Sequence, residues 1–134
     1  MPELKNYKMF IGGEWLDSDT KKTFETLNPE DNKPWAIVPE ASANDVDKAV
    51  KAAQKAFEGD WPKLLPRERG KFLRAIGNKL RENAELLGRI ETIDTGKIFR
   101  ETNQQANYIA EYYDYYAGLA DKVEGSVLPI DKPN

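Results

Sequence analysis

Among the side chains that could do chemistry, Asp94 has the least ordinary position, the last turn of an apolar helical segment that stops near Gly96. The helix dipole places partial negative charge at that end, so a carboxylate there is disfavoured unless something compensates for it. A bound cation would compensate, and so would backbone hydrogen-bond donors. Asp94 is therefore part of a cation site or a carboxylate held by the protein, and the residue alone does not decide between them.

A cluster of tyrosines is the second candidate, at positions 108, 112, 113, 115 and 116 of a predicted helix. These rings could line a ligand channel, although aromatic residues at helical spacing more often belong to a core. The acids nearby, such as Glu101 and Glu111, lie among lysines and arginines and indicate a solvated surface.

Other site chemistries are excluded by composition and spacing. The chain has no Cys and no His, which excludes a disulfide framework, a thiolate nucleophile, a Cys/His zinc site and a Ser-His-Asp triad. Gly96-Lys97 is not a phosphate-binding loop, because Gly88 has the wrong spacing and Ile98 replaces the Ser or Thr. We interpret it as a helix C-cap. The sequence contains no G-x-G-x-x-G dinucleotide fingerprint.

The bulk properties indicate a globular protein without a nucleic-acid or membrane partner. The 134 residues carry a net charge of −3, with acids and bases interleaved. No apolar run approaches the roughly 20 residues of a membrane span. The first eight residues lack a signal-peptide core, so the expected location is the cytoplasm.

Short strands are predicted in the first part of the chain. Gly12-Gly13 supplies a tight turn for a hairpin over residues 9–15. Two further strands, at 23–27 and 35–38, flank a turn at Asn28-Pro29.

Helices follow from residue 43, where the apolar period lengthens. Ser42 and Asp45 predict a capping box, and Gly59 ends the first helix, whose apolar face is Val46, Ala49, Val50, Ala53 and Phe57. A second helix opens at Pro66, breaks or bends at 81–83 and continues to Gly96. Its predicted buried stripe is Phe72, Leu73, Ile76 and Leu80, followed by Leu86, Leu87, Ile90 and Ile93.

A third helical region, from about Glu101 to Lys122, carries two apolar stripes and needs neighbours on two sides. Tyr108, Tyr112, Tyr115 and Leu119 form one stripe, and Ile109, Tyr113, Tyr116 and Ala120 form the other. Gly125 is the expected cap, and residues 126–130 resemble a strand without a hairpin partner. Both features predict a piece of a larger protein.

The order of these segments resembles the start of the aldehyde dehydrogenase superfamily over nearly the whole chain. The matching motifs are Phe10-Ile11-Gly12-Gly13-Glu14-Trp15, Leu27-Asn28-Pro29, Asp45-Val46-Asp47-Lys48-Ala49-Val50 with Ala52-Ala53 and Ala56-Phe57, Glu91-Thr92-Ile93-Asp94-Thr95-Gly96-Lys97, Tyr115-Tyr116-Ala117-Gly118-Leu119-Ala120-Asp121-Lys122, Gly125 and Pro129-Ile130. Each motif is weak alone, and their order and separations carry the resemblance.

The resemblance implies an α/β fold, the N-terminal part of an aldehyde dehydrogenase-like fold, with a hairpin and short strands, three to four helices, and the first strand of an oligomerisation segment. Residues 1–125 would form the N-terminal part of the cofactor-binding domain, with strands over 8–38 and helices over 43–123. Residues 126–134 would begin the oligomerisation strand, and the catalytic domain would be absent.

The family oxidises aldehydes to carboxylic acids with NAD or NADP, through a cysteine nucleophile and a glutamate that activates water. The resemblance places these groups and the cofactor loop outside this stretch, so no catalytic or cofactor-binding residue is expected here. The 134-residue chain alone is predicted to be inactive and to bind no cofactor.

Two site roles are implied within this stretch. Thr26 and Leu27, the latter through its backbone carbonyl, resemble part of a monovalent-cation site completed by Asp94. Tyr108 and Tyr112 resemble residues that border the substrate entrance. Ile98 differs from the proline of many relatives, and an alignment gap follows it.

The implied partners are the remainder of the dehydrogenase chain, other copies of it in a homo-oligomer, and an aldehyde. The alternative hypothesis is a stand-alone, non-catalytic interaction module derived from the family. The sequence leaves open which aldehyde is used and whether the cofactor is NAD or NADP.

Overall fold

The computed structural model describes residues 4–127, and it has five short strands. They are β1 (Lys5–Asn6), β2 (Met9–Ile11), β3 (Glu14–Leu16), β4 (Thr23–Asn28) and β5 (Lys33–Pro39). β5 is the middle strand of a three-stranded sheet, parallel to β1 and antiparallel to β4. β2 and β3 form a separate hairpin.

Four α-helices follow, with a short 3-10 helix (Trp61–Lys63) after the first. They are α1 (Ala43–Glu58), α2 (Pro66–Glu82), α3 (Ala84–Thr95) and α4 (Phe99–Leu119). α2 and α3 both pack against α4, and α3 also contacts β4. α1 lies apart from this group, against the hairpin and the 3-10 helix. No helix among residues 4–127 is long and apolar enough to cross a membrane.

The predicted hairpin is confirmed, and its turn has the expected cause. Gly12 and Gly13 have φ of 63° and 92°, values that side-chain-bearing residues rarely adopt. Phe10 and Trp15 face each other across the strands with ring centroids 4.9 Å apart. The other two predicted strands are also confirmed as β4 and β5, while β1 was not predicted.

The start of α1 is tied to the loop that follows β3. The capping box of Ser42 and Asp45 is present as predicted. The buried Asp45 carboxylate also accepts hydrogen bonds from Ser18 Oγ, at 2.9 Å, and from the Asp19 backbone N–H, at 3.2 Å from Oδ2. One carboxylate therefore caps α1 and anchors a loop that precedes it by more than twenty residues.

The helices pack against one another through small residues. The large apolar residues predicted to form the buried stripe of α2 are therefore not the ones at its contact with α4. Phe72 and Ile76 are exposed, and the buried residues of α2 are Gly70 and Gly77. We define the small-residue seam as the buried small residues of the three contacting helices, which are Gly70, Gly77, Ala84 and Gly88 on α2 and α3, and Thr102, Ala106, Ala110 and Ala117 on α4.

The seam brings helix backbones unusually close together. A Cβ at Gly70 would lie 2.8 Å from the carbonyl oxygen of Ala117, and one at Gly88 would lie 2.8 Å from Asn103 Cα. Beside Gly88, the fully buried Thr102 hydroxyl lies 2.9 Å from the Gly88 carbonyl oxygen and 2.9 Å from Thr92 Oγ1. Glycine is therefore required at these positions because a side chain would collide with α4, and not because the backbone angles exclude other residues.

One prediction about the end of the helical region is wrong, and a second falls mostly outside the described residues. α4 ends at Leu119, with Ala120 in right-handed helical geometry, so Gly125 is not its cap. Residues 126 and 127 belong to no strand, and the rest of the predicted strand lies outside the described residues.

Candidate functional site

Thr26 and Asp94, separated by 68 positions in the chain, lie side by side in the structure. Thr26 Oγ1 donates a hydrogen bond of 2.8 Å to Asp94 Oδ1. β4 presents the threonine, and the last turn of α3 presents the aspartate. Gly96, at φ 74°, ends α3 immediately afterwards in the left-handed geometry that the sequence predicted. Leu27 is adjacent to Thr26, at a shift in the β4–β5 register.

This pair has oxygen donors of the kind that hard cations prefer. The Thr26 hydroxyl supplies one protein donor to the Asp94 carboxylate. No group of three or more Asp, Glu, His or Cys side chains able to hold a metal occurs within residues 4–127. Thr26 and Asp94 thus bring two side-chain oxygens together, and Leu27 directly follows Thr26 in β4.

The tyrosines of α4 divide between two faces of the helix. Tyr113 is half-buried, and its Cβ faces Gly77 of α2. Tyr108, Tyr112, Tyr115 and Tyr116 are exposed, with between 48% and 62% of each residue accessible. In the described structure they are therefore not core residues, contrary to the commoner role of aromatics at this spacing.

The four exposed tyrosines and Glu111 line one depression of about 290 Å³, which we call the tyrosine depression. The hydroxyls of Tyr108 and Tyr112 are 3.0 Å apart, and their rings are perpendicular with centroids separated by 5.0 Å. Tyr115 and Tyr116 form a second perpendicular pair, with centroids 5.3 Å apart. Tyr108 and Tyr112, named from the sequence, are thus brought together.

The hydrogen bond between the two hydroxyls affects the titration of Tyr112. Its pKa is raised above the ordinary value of 10.0, chiefly because the Tyr108 hydroxyl is its hydrogen-bond partner and next because of the charge that Tyr108 would carry. Tyr112 is therefore a neutral phenol throughout the physiological range.

Sequence reasoning missed the part that Glu111 plays. It was assigned to the general surface, yet among the described residues it contributes the one carboxylate that lines the tyrosine depression. A usable signal was present, because positions 108, 111, 112 and 115 are spaced by three and four residues and so share one helix face.

The family is decided by sequence comparison. The sequence model described as the aldehyde dehydrogenase family matches residues 15–134.

The chain belongs to the aldehyde dehydrogenase family.

Curated relatives extend this assignment. (Z)-2-((N-methylformamido)methylene)-5-hydroxybutyrolactone dehydrogenase of Acinetobacter baylyi is 43% identical over 98% of this chain and 27% of its own length. Mitochondrial 10-formyltetrahydrofolate dehydrogenase of Homo sapiens is 39% identical over 96% of this chain and 14% of its own. The chain therefore spans about a quarter or less of these relatives.

Solved aldehyde dehydrogenase structures have the same architecture. An aldehyde dehydrogenase variant from Bacillus cereus aligns with a TM-score of 0.88 and 38% identity, over 96% of this chain and 26% of that one. A betaine aldehyde dehydrogenase variant from Staphylococcus aureus, in complex with NAD+, aligns with a TM-score of 0.85 and 38% identity, over 94% and 26%. The predicted fold, the N-terminal part of an aldehyde dehydrogenase, is confirmed.

Proposed function

We propose that this chain is the N-terminal segment of an NAD(P)-dependent aldehyde dehydrogenase that oxidises an aldehyde to a carboxylic acid. The supporting observation is the family match over residues 15–134. The chain contains no Cys, so the family's thiolate nucleophile would come from the rest of the protein, along with the glutamate and the cofactor loop. The 134 residues alone would be non-catalytic.

Within the whole enzyme, residues 1–125 would form the N-terminal part of the cofactor-binding domain, at one side of it. The support is the apolar surface left open by α1 and the hairpin, including Val50, Phe57 and Trp15, each more than 60% exposed. Covering a side chain of this kind contributes about 1.5–3 kcal/mol, which favours packing against the remainder of the chain. Residues 126–134 would begin an oligomerisation strand of a cytoplasmic homo-oligomer.

The cofactor would be NAD or NADP, bound outside this segment. NAD+ is present in the Staphylococcus aureus relative, which supports a nicotinamide cofactor for the whole enzyme. No residue of this chain is assigned to it. Tyr108 and Tyr112 would border the substrate entrance from α4, supported by their exposure and by the depression between them.

Turnover by the complete native protein tests this proposal. We expect aldehyde-dependent reduction of NAD+ or NADP+, followed at 340 nm, and no turnover by the isolated 134-residue chain. Iodoacetamide should abolish the activity, and the alkylated residue should map outside these 134 residues because they contain no Cys. A native protein with an intact mass near 15.3 kDa would instead support the interaction-module alternative. A larger native protein without turnover on a panel of aldehydes would contradict the proposal.

We also propose that Thr26, the Leu27 carbonyl and Asp94 hold a monovalent cation in the whole enzyme. KCl or NaCl should then raise the unfolding midpoint more than N-methylglucamine chloride at equal ionic strength. The expected gain is about 1.4 kcal/mol at a cation concentration ten times Kd. Thr26→Val should remove the difference, whereas Thr23→Val, an exposed threonine on the same strand, should keep it. Equal midpoints in all three salts for the unmodified protein would reject the site.

A further inference from the structure

A cavity of about 390 Å³ lies between β1, the end of β5 and the loop after β3. It shares no lining residue with the tyrosine depression or with the Thr26–Asp94 pair. We call it the lysine pocket, because Lys8, Lys21 and Lys22 line it. Its volume lies within the range of small-molecule sites, about 300–1,000 Å³.

The charge of the lysine pocket is opposite to that of the protein. Its lining has three lysines and one acid, Asp17, a net charge of +2, whereas the chain carries −3. Asp17 lies 3.6 Å from the ammonium nitrogens of both Lys8 and Lys21. Both distances are longer than an N–H···O hydrogen bond, about 2.7–3.2 Å. Asp17 therefore draws the two ammonium groups together, while their N–H donors stay available to a more strongly charged anion.

The loop that carries two of these lysines, residues 17–22, is held in place by the rest of the fold. The buried Asp45 carboxylate anchors its start, as described above, and the Glu40 backbone N–H donates a hydrogen bond of 2.9 Å to the Lys22 carbonyl oxygen at its end. Lys21 has φ of 58°, a left-handed conformation that is uncommon for a residue other than glycine. Such strain is frequent where a side chain is needed for binding, and a loop fixed in advance lowers the entropic cost of binding.

The composition of the lining indicates which anion fits. A phosphate group carries about −1.5 to −2 charges at pH 7, which matches the charge of the pocket. Lysine binds phosphate as a point charge, whereas bidentate recognition of a carboxylate uses arginine, and no Arg is among the described residues that line the pocket. Tyr7, Ile37 and Pro39 add apolar surface, against which a small organic group can pack.

We propose that the lysine pocket binds a phosphate dianion through Lys8, Lys21 and Lys22. The dianion is inorganic phosphate or the phosphate group of a small metabolite, since both present the same chemistry to the lysines. This inference concerns residues of this chain alone and does not depend on the oxidation of an aldehyde by the complete enzyme.

Isothermal titration calorimetry on the complete native protein, at constant ionic strength, tests the pocket. The probes are inorganic phosphate, glycerol 3-phosphate and the monoanion acetate. We expect a Kd of about 1 mM or lower for phosphate, and binding of acetate that is weaker by about tenfold or more. Tighter binding of glycerol 3-phosphate than of inorganic phosphate identifies a metabolite as the ligand, and equal affinities identify inorganic phosphate. No measurable binding of either phosphate, or acetate binding as tightly as both, would overturn the proposal.

Variants locate the bound anion, which is needed because a nucleotide cofactor site elsewhere in the enzyme also attracts phosphate. Lys8→Gln should weaken phosphate binding about 2–5-fold, a modest effect because the Lys8 side chain is 52% exposed. Lys33→Gln removes an exposed lysine that is paired with Asp31 outside the pocket, and should leave the affinity unchanged. If the two variants bind phosphate equally, the anion lies elsewhere and the assignment is wrong.

Lys21→Gly separates a role in binding from a role in folding. Glycine removes the ammonium group and adopts φ of 58° without strain, so the unfolding midpoint should be unchanged or higher. Phosphate affinity should nevertheless fall about 2–5-fold. A lower midpoint with unchanged affinity would show that Lys21 is structural, and would contradict its place in the site.

Discussion

Replacing Gly88 by alanine is expected to lower the free energy of unfolding by about 2 kcal/mol, although alanine is the better helix former by about 1 kcal/mol. The new Cβ would lie 2.8 Å from both Asn103 Cα and the Asn103 backbone nitrogen, and 3.1 Å from its Cβ. These are atoms near or in the main chain, so no side-chain rotation relieves the contact. α3 and α4 must move apart, which also strains the hydrogen bond from Thr102 to the Gly88 carbonyl.

The measurement is urea unfolding followed by circular dichroism, with Gly118→Ala as the matched control. Gly118 also lies within a helix, but a Cβ there would meet no heavy atom within 4 Å. The free energy of unfolding of that variant should rise by about 0.5–1 kcal/mol, from helix propensity alone. The free energy of unfolding of Gly77→Ala should lie between those of the other two variants, since its Cβ would be 3.1 Å from the Ala110 carbonyl oxygen. A Gly88→Ala protein as stable as the Gly118→Ala protein would disprove the close backbone contact.

The second large loss of stability is expected from replacing Asp45. Its carboxylate accepts hydrogen bonds from Ser18, Ser42 and the Asp19 backbone. Asp45→Ala leaves these donors unpaired at a site where Asp45 is only 3% exposed. We expect Tm to fall by about 5–10 °C, with the loop after β3 released from α1. Asp47→Asn, which removes an exposed acid paired with Lys51 on the same helix, should change Tm by no more than about 2 °C.

The same carboxylate predicts a pH dependence of stability. Hydrogen bonds, first of all the one from the Ser42 backbone, hold the pKa of Asp45 at about 2, below its ordinary value of 3.8. Because the pKa is lower in the folded state, the stabilisation is present above about pH 4 and is lost as the pH falls toward about 2.

The difference in unfolding midpoint between the wild-type protein and Asp45→Asn should therefore shrink over that interval. Asp19, Asp31 and Asp121 also have lowered pKa values, so they too reduce the stability of the protein as the pH falls. Comparing the wild-type protein with Asp45→Asn removes their contribution, because both proteins contain them. A difference that stays constant from pH 5 to pH 2 would contradict the role assigned to this carboxylate.

The features that the sequence predicted well are local ones. The hairpin turn at Gly12-Gly13, the Ser42–Asp45 capping box and the Gly96 helix end all depend on a few adjacent residues and their allowed backbone angles. Such features are visible in a single sequence because their causes lie within one turn of chain.

The sequence did not predict the small-residue seam, because the seam results from the close approach of two helices that are distant in the chain. Periodicity shows which residues share a face, but it does not show which face another helix covers. Phe72 and Ile76 form an apolar stripe, and yet Gly70 and Gly77 are the residues that meet α4. The seven-residue spacing of Gly70 and Gly77 was an available signal, since residues seven apart return to one helix face.

The candidate sites were predictable to different extents. The contact between Thr26 and Asp94 spans 68 positions and came from the family resemblance, because no local pattern joins a strand to the end of a distant helix. The shared face of Tyr108 and Tyr112 followed directly from helical spacing. The place of Glu111 beside them required knowing that this face is open in the described structure.

The division of α4 into a seam and an opposite tyrosine face also has an evolutionary consequence. The seam glycines Gly70, Gly77 and Gly88 have little freedom to change, since the opposing main chain leaves little room for a side chain. Positions 108, 111, 112 and 115 are exposed in the described structure, so we expect substitutions there to have little effect on the packing of α2 and α3. A lineage could therefore sample new binding preferences at these positions while the same three-helix scaffold continues to fold.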